Sequence, residues 1–259
     1  MCPKSPKMKS PIKEPPLPQA GQSLRQMRDD LFDKVVLWIF LGVAVVSFAA
    51  LEWFRKYCNM PPEPWIWTII AVAAAGISAW RILKIRSELG NLSLGEKGER
   101  VVGQSLDDLR ARGYVVIHDL PGDGWNIDHV IVGPGGVFAI ETKTRMKPSG
   151  RPSEVVYDGE TITVDGFAPE RDPVIQVRAA ARDVKQIIKR TSARDVQVQP
   201  VVLFPGWFTT QSGPRDIWVL NESAFPKWVE NEPDTLSPDD VALIAEGLRM
   251  YVRNKAGGA

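Results

Sequence analysis

Cysteine is nearly absent from this chain: Cys2 and Cys58 are the only two in 259 residues. One lies in the N-terminal tail and the other between hydrophobic segments, which excludes a disulfide framework and a cysteine zinc site. Histidine is equally scarce, and His118 and His129 do not make a metal pair by themselves. An excess of either charge is lacking too. With 32 basic and 31 acidic residues the formal net charge is +1, so no global basic field advertises nucleic acid, and such a partner must be held by a local patch. Hydrophobic residues are present in ordinary proportion but unevenly spread, and their distribution sets the domain plan.

Residues 1–30 read as a flexible tail, rich in Pro and Lys, in which Pro3, Pro6, Pro11, Pro15, Pro16 and Pro18 break any periodicity. Residues 31–87 carry two apolar runs, with helices expected at about 35–54 and 65–83. Val35 to Leu51 is free of charge, and Trp65 to Trp80 extends through Ile85 if Arg81 and Lys84 snorkel. The pattern is that of a transmembrane hairpin. A cleaved signal peptide does not fit a run that starts after thirty polar residues and is followed by a second. A buried helical pair would satisfy the lengths, but Trp53, Trp65, Trp67 and Trp80 lie near span ends, where interfacial rings prefer to sit. Arg25, Arg28 and Lys34 precede the first span, and Arg81, Lys84 and Arg86 follow the second. The expectation is therefore a multi-pass protein of the cell or inner membrane with the lipid bilayer as partner, both termini cytoplasmic and the loop around Pro61 to Pro64 outside.

A soluble domain is expected over residues 88–259. It opens, after a short linker, at Leu94-Gly95-Glu96-Lys97-Gly98-Glu99, leading into a helix through about Arg112. There Val102, Leu106 and Leu109 recur at helical spacing, and stepping back three residues places Glu99 on their stripe. Two strands rich in Val, Ile and Phe then flank Gly133-Pro134-Gly135-Gly136, a turn-forming cluster. If the turn centres there, paired positions sum to 269 and Asp128 faces Glu141. Like charges across a strand pair have Cβ atoms about 4.5–5.5 Å apart and repel. A shared proton or a bound cation would relieve them, and hard oxygen donors suit Mg²⁺ or Mn²⁺. Period-two alternation puts Lys143 on the Glu141 side. The plainer reading of the same spacing is a solvated strand end with one ion pair. Glu99 is a candidate third acid, Glu96 a substitute for it, and its plainer role is an exposed first-turn carboxylate.

Downstream, Arg145 and Lys147 lie in a basic segment able to hold a phosphate backbone. Small strands are expected at 155–157 and 161–164. Asp172-Pro173 starts a helix to about Arg190, with Val177, Ala180 and Val184 as its apolar stripe and Arg178 and Arg182 on another face. Gln176, at its start, is either a plain surface Gln or a residue that hydrogen-bonds a ligand or the attacking water. Further strands are expected at 196–204 and 217–220, and a closing helix at 238–252.

Gly95 to Glu99, Asn126-Ile127-Asp128-His129, Glu141-Thr142-Lys143 and the Gln176 helix together resemble the NERD domain, the nuclease-related domain of the PD-(D/E)xK superfamily, over roughly residues 93–205. The resemblance implies an α/β fold, a restriction-endonuclease-like core of mixed β-sheet flanked by helices. It implies Asp128 and Glu141 as metal ligands, Glu99 as a third, Lys143 as catalytic lysine and Gln176 as a helper. Ile127 stands where the superfamily's name has Pro. The expectation is a membrane-anchored nuclease of DNA using Mg²⁺ or Mn²⁺. The alternative, favoured by the neutral net charge, is an inactive nucleic-acid-binding or regulatory module on the same fold.

Overall fold

The pairing rule of the hairpin holds in the computed structural model of the chain, which describes residues 17–58, 60, 64–122, 124–147 and 153–257. Strands β2 (Asn126–Gly133) and β3 (Gly136–Thr142) are antiparallel, with His129 opposite Ile140 and Gly133 opposite Gly136. The turn needs its glycines. Gly136 has φ +123°, and a Cβ on Gly133 would lie 2.0 Å from the Tyr114 ring, whose hydroxyl accepts a hydrogen bond from the Gly135 N–H.

β1 (Val115–Pro121) pairs antiparallel with β2 on one side. On the other, β6 (Val198–Leu203) pairs parallel with β3, and β8 (Trp218–Leu220) parallel with β6. The five-stranded mixed sheet runs β1-β2-β3-β6-β8. Parallel strands need a crossover, and α3 (Pro173–Ser192) packs against both β3 and β6. Its start is fixed by Asp172, whose carboxylate accepts the Val174 N–H at 2.8 Å, with Pro173 at the first helical position; such a cap contributes about 1 kcal/mol. Val177, Ala180, Val184 and Ile188 are fully buried. α3 and α5 (Pro238–Gly257) cover the sheet face carrying Val130, Val132, Val137 and Ala139. The other face is covered by Val102 and Leu106 at the end of α2 (Pro64–Asp107), by Leu109 in the 3₁₀ turn that follows, and by α4 (Phe225–Glu230). A second sheet, in the order β5-β4-β7, combines β4 (Glu154–Tyr157), β5 (Ile162–Val164) and β7 (Phe208–Gln211).

The chain divides into two compact units, Gln22–Lys97 and a larger one of Gly98–Ala259 with the segment ending at Gly21. The first holds α1 (Gln22–Tyr57) and most of α2, both long and apolar enough to cross a membrane. Their large apolar side chains face outward, Phe40 at 73% and Leu83 at 66% exposure, as a lipid-facing surface requires and a water-facing one does not. The two helices are antiparallel. Trp53 donates to Thr68 and meets Trp65 edge to face at one end, while Arg81 lies over both Trp38 and Trp80 at the other.

Two expectations need correction. α1 begins at Gln22, so residues 22–30 are helical rather than tail; the prolines stop at Pro18 and good helix formers follow. Residues 88–93, expected as linker, are helical within α2, where the lone Gly90 is tolerated. β7 and α4 had no expectation at all. The tail prolines up to Pro16 and loop residues 61–63 lie outside the described residues.

Candidate active site

Strand alternation places Glu141 with Ala139 and Val137 on the α3 side of the sheet and Thr142 on the other, while β2 breaks its alternation at its start, where Ile127 packs in the α3-side cluster with Val130. Beyond the His129–Ile140 pair the ladder changes character. The Thr142 N–H donates to the Asp128 carboxylate at 2.7 Å, so a side chain takes the acceptor role. Lys143 keeps its backbone on β6 through the Leu203 carbonyl at 2.8 Å and turns its ammonium onto Glu141 Oε1 at 2.6 Å. Glu141 and Glu99 are each only 7% exposed.

Burial first, then the charges of Glu141 and Glu99, push Asp128 well above the ordinary carboxylate range; the Thr142 N–H and Lys143 pull it back. Four groups named from the sequence therefore act on one another at a single place. Gly98 explains how Glu99 reaches it. A Cβ at residue 98 would lie 2.0 Å from Thr144 Cγ2, so only glycine lets the helix abut the chain just past Lys143. Glu96 does not substitute for Glu99: within the hairpin unit it is held by Arg28 and, at 3.2 Å, by Arg25.

Gln176 sits where α3 begins, at the sheet end where β3 and β6 stop, since Val174 and Val177 on either side pack with Val202 and Phe204. Its Oε1 is buried with no hydrogen-bond partner among the described residues. Arg145 and Lys147 are exposed just beyond Lys143, Arg178 pairs with Asp216 at 2.7 Å, and Arg182 is exposed on the same helix. Among the described residues, no three carboxylate, His or Cys groups stand close enough to hold an ion as they are.

Sequence reasoning missed two supports. The Trp207 indole donates to the Arg145 carbonyl at 3.2 Å, fixing the strand exit after Lys143, with Lys147 over its ring. A buried Trp between Gly206 and a short strand gave only a weak signal. His118 and His129 are directly opposed, Nδ1 to Nδ1 at 2.9 Å, and burial lowers both pKa values, that of His129 strongly. One neutral ring must donate to the other.

Residues 94–205 match the family model described as the nuclease-related domain, NERD. An uncharacterized protein of Bacillus anthracis is 37% identical over 54 residues, 19% of this chain and 26% of that protein; the chain spans about a quarter of this curated relative's length. The SfsA protein of Pyrococcus furiosus, solved in complex with Ca²⁺, shares 16% identity over 58% of this chain and 51% of its own, with a TM-score of 0.22, too loose a superposition to rest anything on.

Proposed function

We propose that the nuclease-related domain at residues 94–205 hydrolyses phosphodiester bonds of DNA with a divalent metal ion, and that the apolar hairpin anchors it to a membrane with both termini and the domain in the cytoplasm. The observation that carries this reading is the charge conflict at the sheet end, where burial and then the buried carboxylates of Glu141 and Glu99 hold Asp128 well above the ordinary carboxylate range. A strand pair with no use for those charges would be more stable without them.

The donor set fits a hard ion such as Mg²⁺ or Mn²⁺. Asp128, Glu141 and Glu99 are the residues that would hold it, after drawing closer than they stand in the protein alone. When bound, such an ion supplies Lewis acidity and a hydroxide nucleophile near neutral pH. Lys143, which rests on Glu141, offsets the charge that builds on the phosphate. Gln176 offers its buried carbonyl oxygen to a water or ligand. Arg145, Lys147, Arg178 and Arg182 hold the flanking backbone; Arg178 leaves Asp216 at little cost, because exposed ion pairs contribute about 0–1 kcal/mol.

The test is incubation of the full-length protein in detergent with single- and double-stranded DNA, with and without Mn²⁺. Cutting that needs Mn²⁺ and disappears in Glu141→Gln supports the reading; cutting by the variant at the wild-type rate ends it. One observation favours the second reading, a module that binds without cutting. Lys143 already meets Glu141, so an internal cation relieves part of the conflict. That module predicts DNA binding but no Mn²⁺ uptake, and no difference on Asp128→Asn.

A further inference from the structure

The parallel strands β3, β6 and β8 end level with one another, Thr142 beside Leu203 and Leu203 beside Leu220. Two strand spacings place Leu220 about 10 Å from Thr142 along the sheet end, outside the carboxyl ends of the strands, where open α/β sheets take their ligands. A cavity of about 380 Å³ runs along the edge of β8 to this end, lined by Phe208, Arg215, Leu220, Asn221 and Trp228 among others. It lies beyond every residue assigned above to metal or phosphate.

Its chemistry is specific. Trp228 is half-buried and braced edge to face against Trp218 at 5.3 Å, which fixes its ring. The Arg215 guanidinium lies over that ring at 4.9 Å. Phe208 presents a ring 66% exposed, although strand residues of this size usually seek the core. The amides at the rim are held in place: Gln211 bonds Ile217 and Val219, and Asn221 bonds Trp207 and Ala224. Among the described lining residues none is acidic. By contrast the cavity on the small sheet, lined by Glu154 and Asp165, repels anions. Flat aromatic faces with a guanidinium and no carboxylate suit a π-ligand that carries a phosphate.

We propose that this cavity takes an unpaired nucleobase, next along a strand whose backbone passes Asp128 and Glu141, and that it gives the domain a preference for single-stranded or frayed nucleic acid. The inference rests on the nuclease-related reading for the course of the strand. A duplex keeps its base faces stacked on one another and has none to offer Trp228.

The experiment uses the full chain in detergent with EDTA, so that nothing is cut. Fluorescence anisotropy compares a labelled single-stranded oligonucleotide, the duplex of that length and an abasic sugar–phosphate strand. The single strand should bind roughly ten-fold more tightly than the other two. Arg215→Gln and Trp228→Ala should each remove most of that margin, and Trp228→Phe should keep it. Arg215 is exposed, so its variant reads out the cavity even if Trp228→Ala fails to fold. Equal affinity for the abasic strand, or an unchanged margin in Arg215→Gln, overturns the proposal. Glu141→Gln should retain the margin, which separates failure of the base cavity from failure of the hydrolytic reading.

Discussion

Asp128 and His129 are neighbours on β2, both inward, yet they resolve their burial in opposite ways. His129 meets His118 across the strands, and a single shared proton links the two neutral rings, with His129 Nε2 left buried and unpartnered among the described residues. At the end of the sheet Asp128 meets Glu141 and Glu99, and no tautomer makes three ionised carboxylates compatible. The histidines are a ladder pair, whereas the carboxylates meet just past the last ladder pair of β2 and β3, and only the histidines relieve their burial through each other without a charge. A neutral pair of this kind is architecture. A cluster that cannot do so without a cation is the place to look for chemistry.

The comparison is tested most severely by removing a carboxylate. Glu141→Gln should lower Mn²⁺-dependent DNA hydrolysis by about a thousand-fold or more, measured as initial rate on a labelled substrate. Lys143→Met should lower it about a hundred-fold, and should tighten Mn²⁺ binding in calorimetry because the internal cation is gone; weaker binding would mean that Lys143 does not compete for the carboxylates.

Gly98→Ala drives a methyl group into Thr144, so a loss of about 1–3 kcal/mol and of activity is expected, with recovery of both in Gly98→Ala/Thr144→Gly. Recovery of stability without activity would separate the fit of the helix from the placement of Glu99.

The two clusters also predict opposite pH slopes. Folded Asp128 holds its proton more tightly than the unfolded chain does. Its contribution is full below the unfolded value near 4 and is lost as pH rises through the raised folded value. Asp128→Asn keeps an acceptor for Thr142 and should remove that loss, raising Tm in EDTA at pH 7 by about 2–4 °C while abolishing Mn²⁺ stabilisation. The histidines, with lowered values, contribute fully above the unfolded value near 6.5, and this is lost as pH falls through their folded values. The smallest effect belongs to His118→Ala. It strands the buried His129 at about 1 kcal/mol and should leave hydrolysis within two-fold; a catalytic collapse there would erase the contrast between the clusters.

The β2–β3 register was readable from the turn glycines alone because an antiparallel hairpin has one pairing sum, which holds as far as His129 and Ile140; past that pair Asp128 takes the Thr142 amide instead. The parallel neighbours of β3 were not readable, since no local turn links Thr142 to Leu203. Phe208–Gln211 escaped because four residues, Phe-Thr-Thr-Gln, carry too little periodicity and their partner β4 lies fifty residues away. Glu99 was legible as an acid on an apolar stripe, but its approach depended on a contact between Gly98 and Thr144 that no spacing rule contains. The cavity around Trp228 was invisible for the same reason: its walls come from β7, β8 and α4, which only the folded chain assembles.

The bond from the Thr142 amide to the Asp128 carboxylate stitches the seam between two strands with a group that titrates. Whatever seizes that carboxylate, a proton or an ion, tugs on the stitch. The exchange rate and chemical shift of one amide proton thus become a gauge of occupancy, readable in the intact protein without any substrate being turned over.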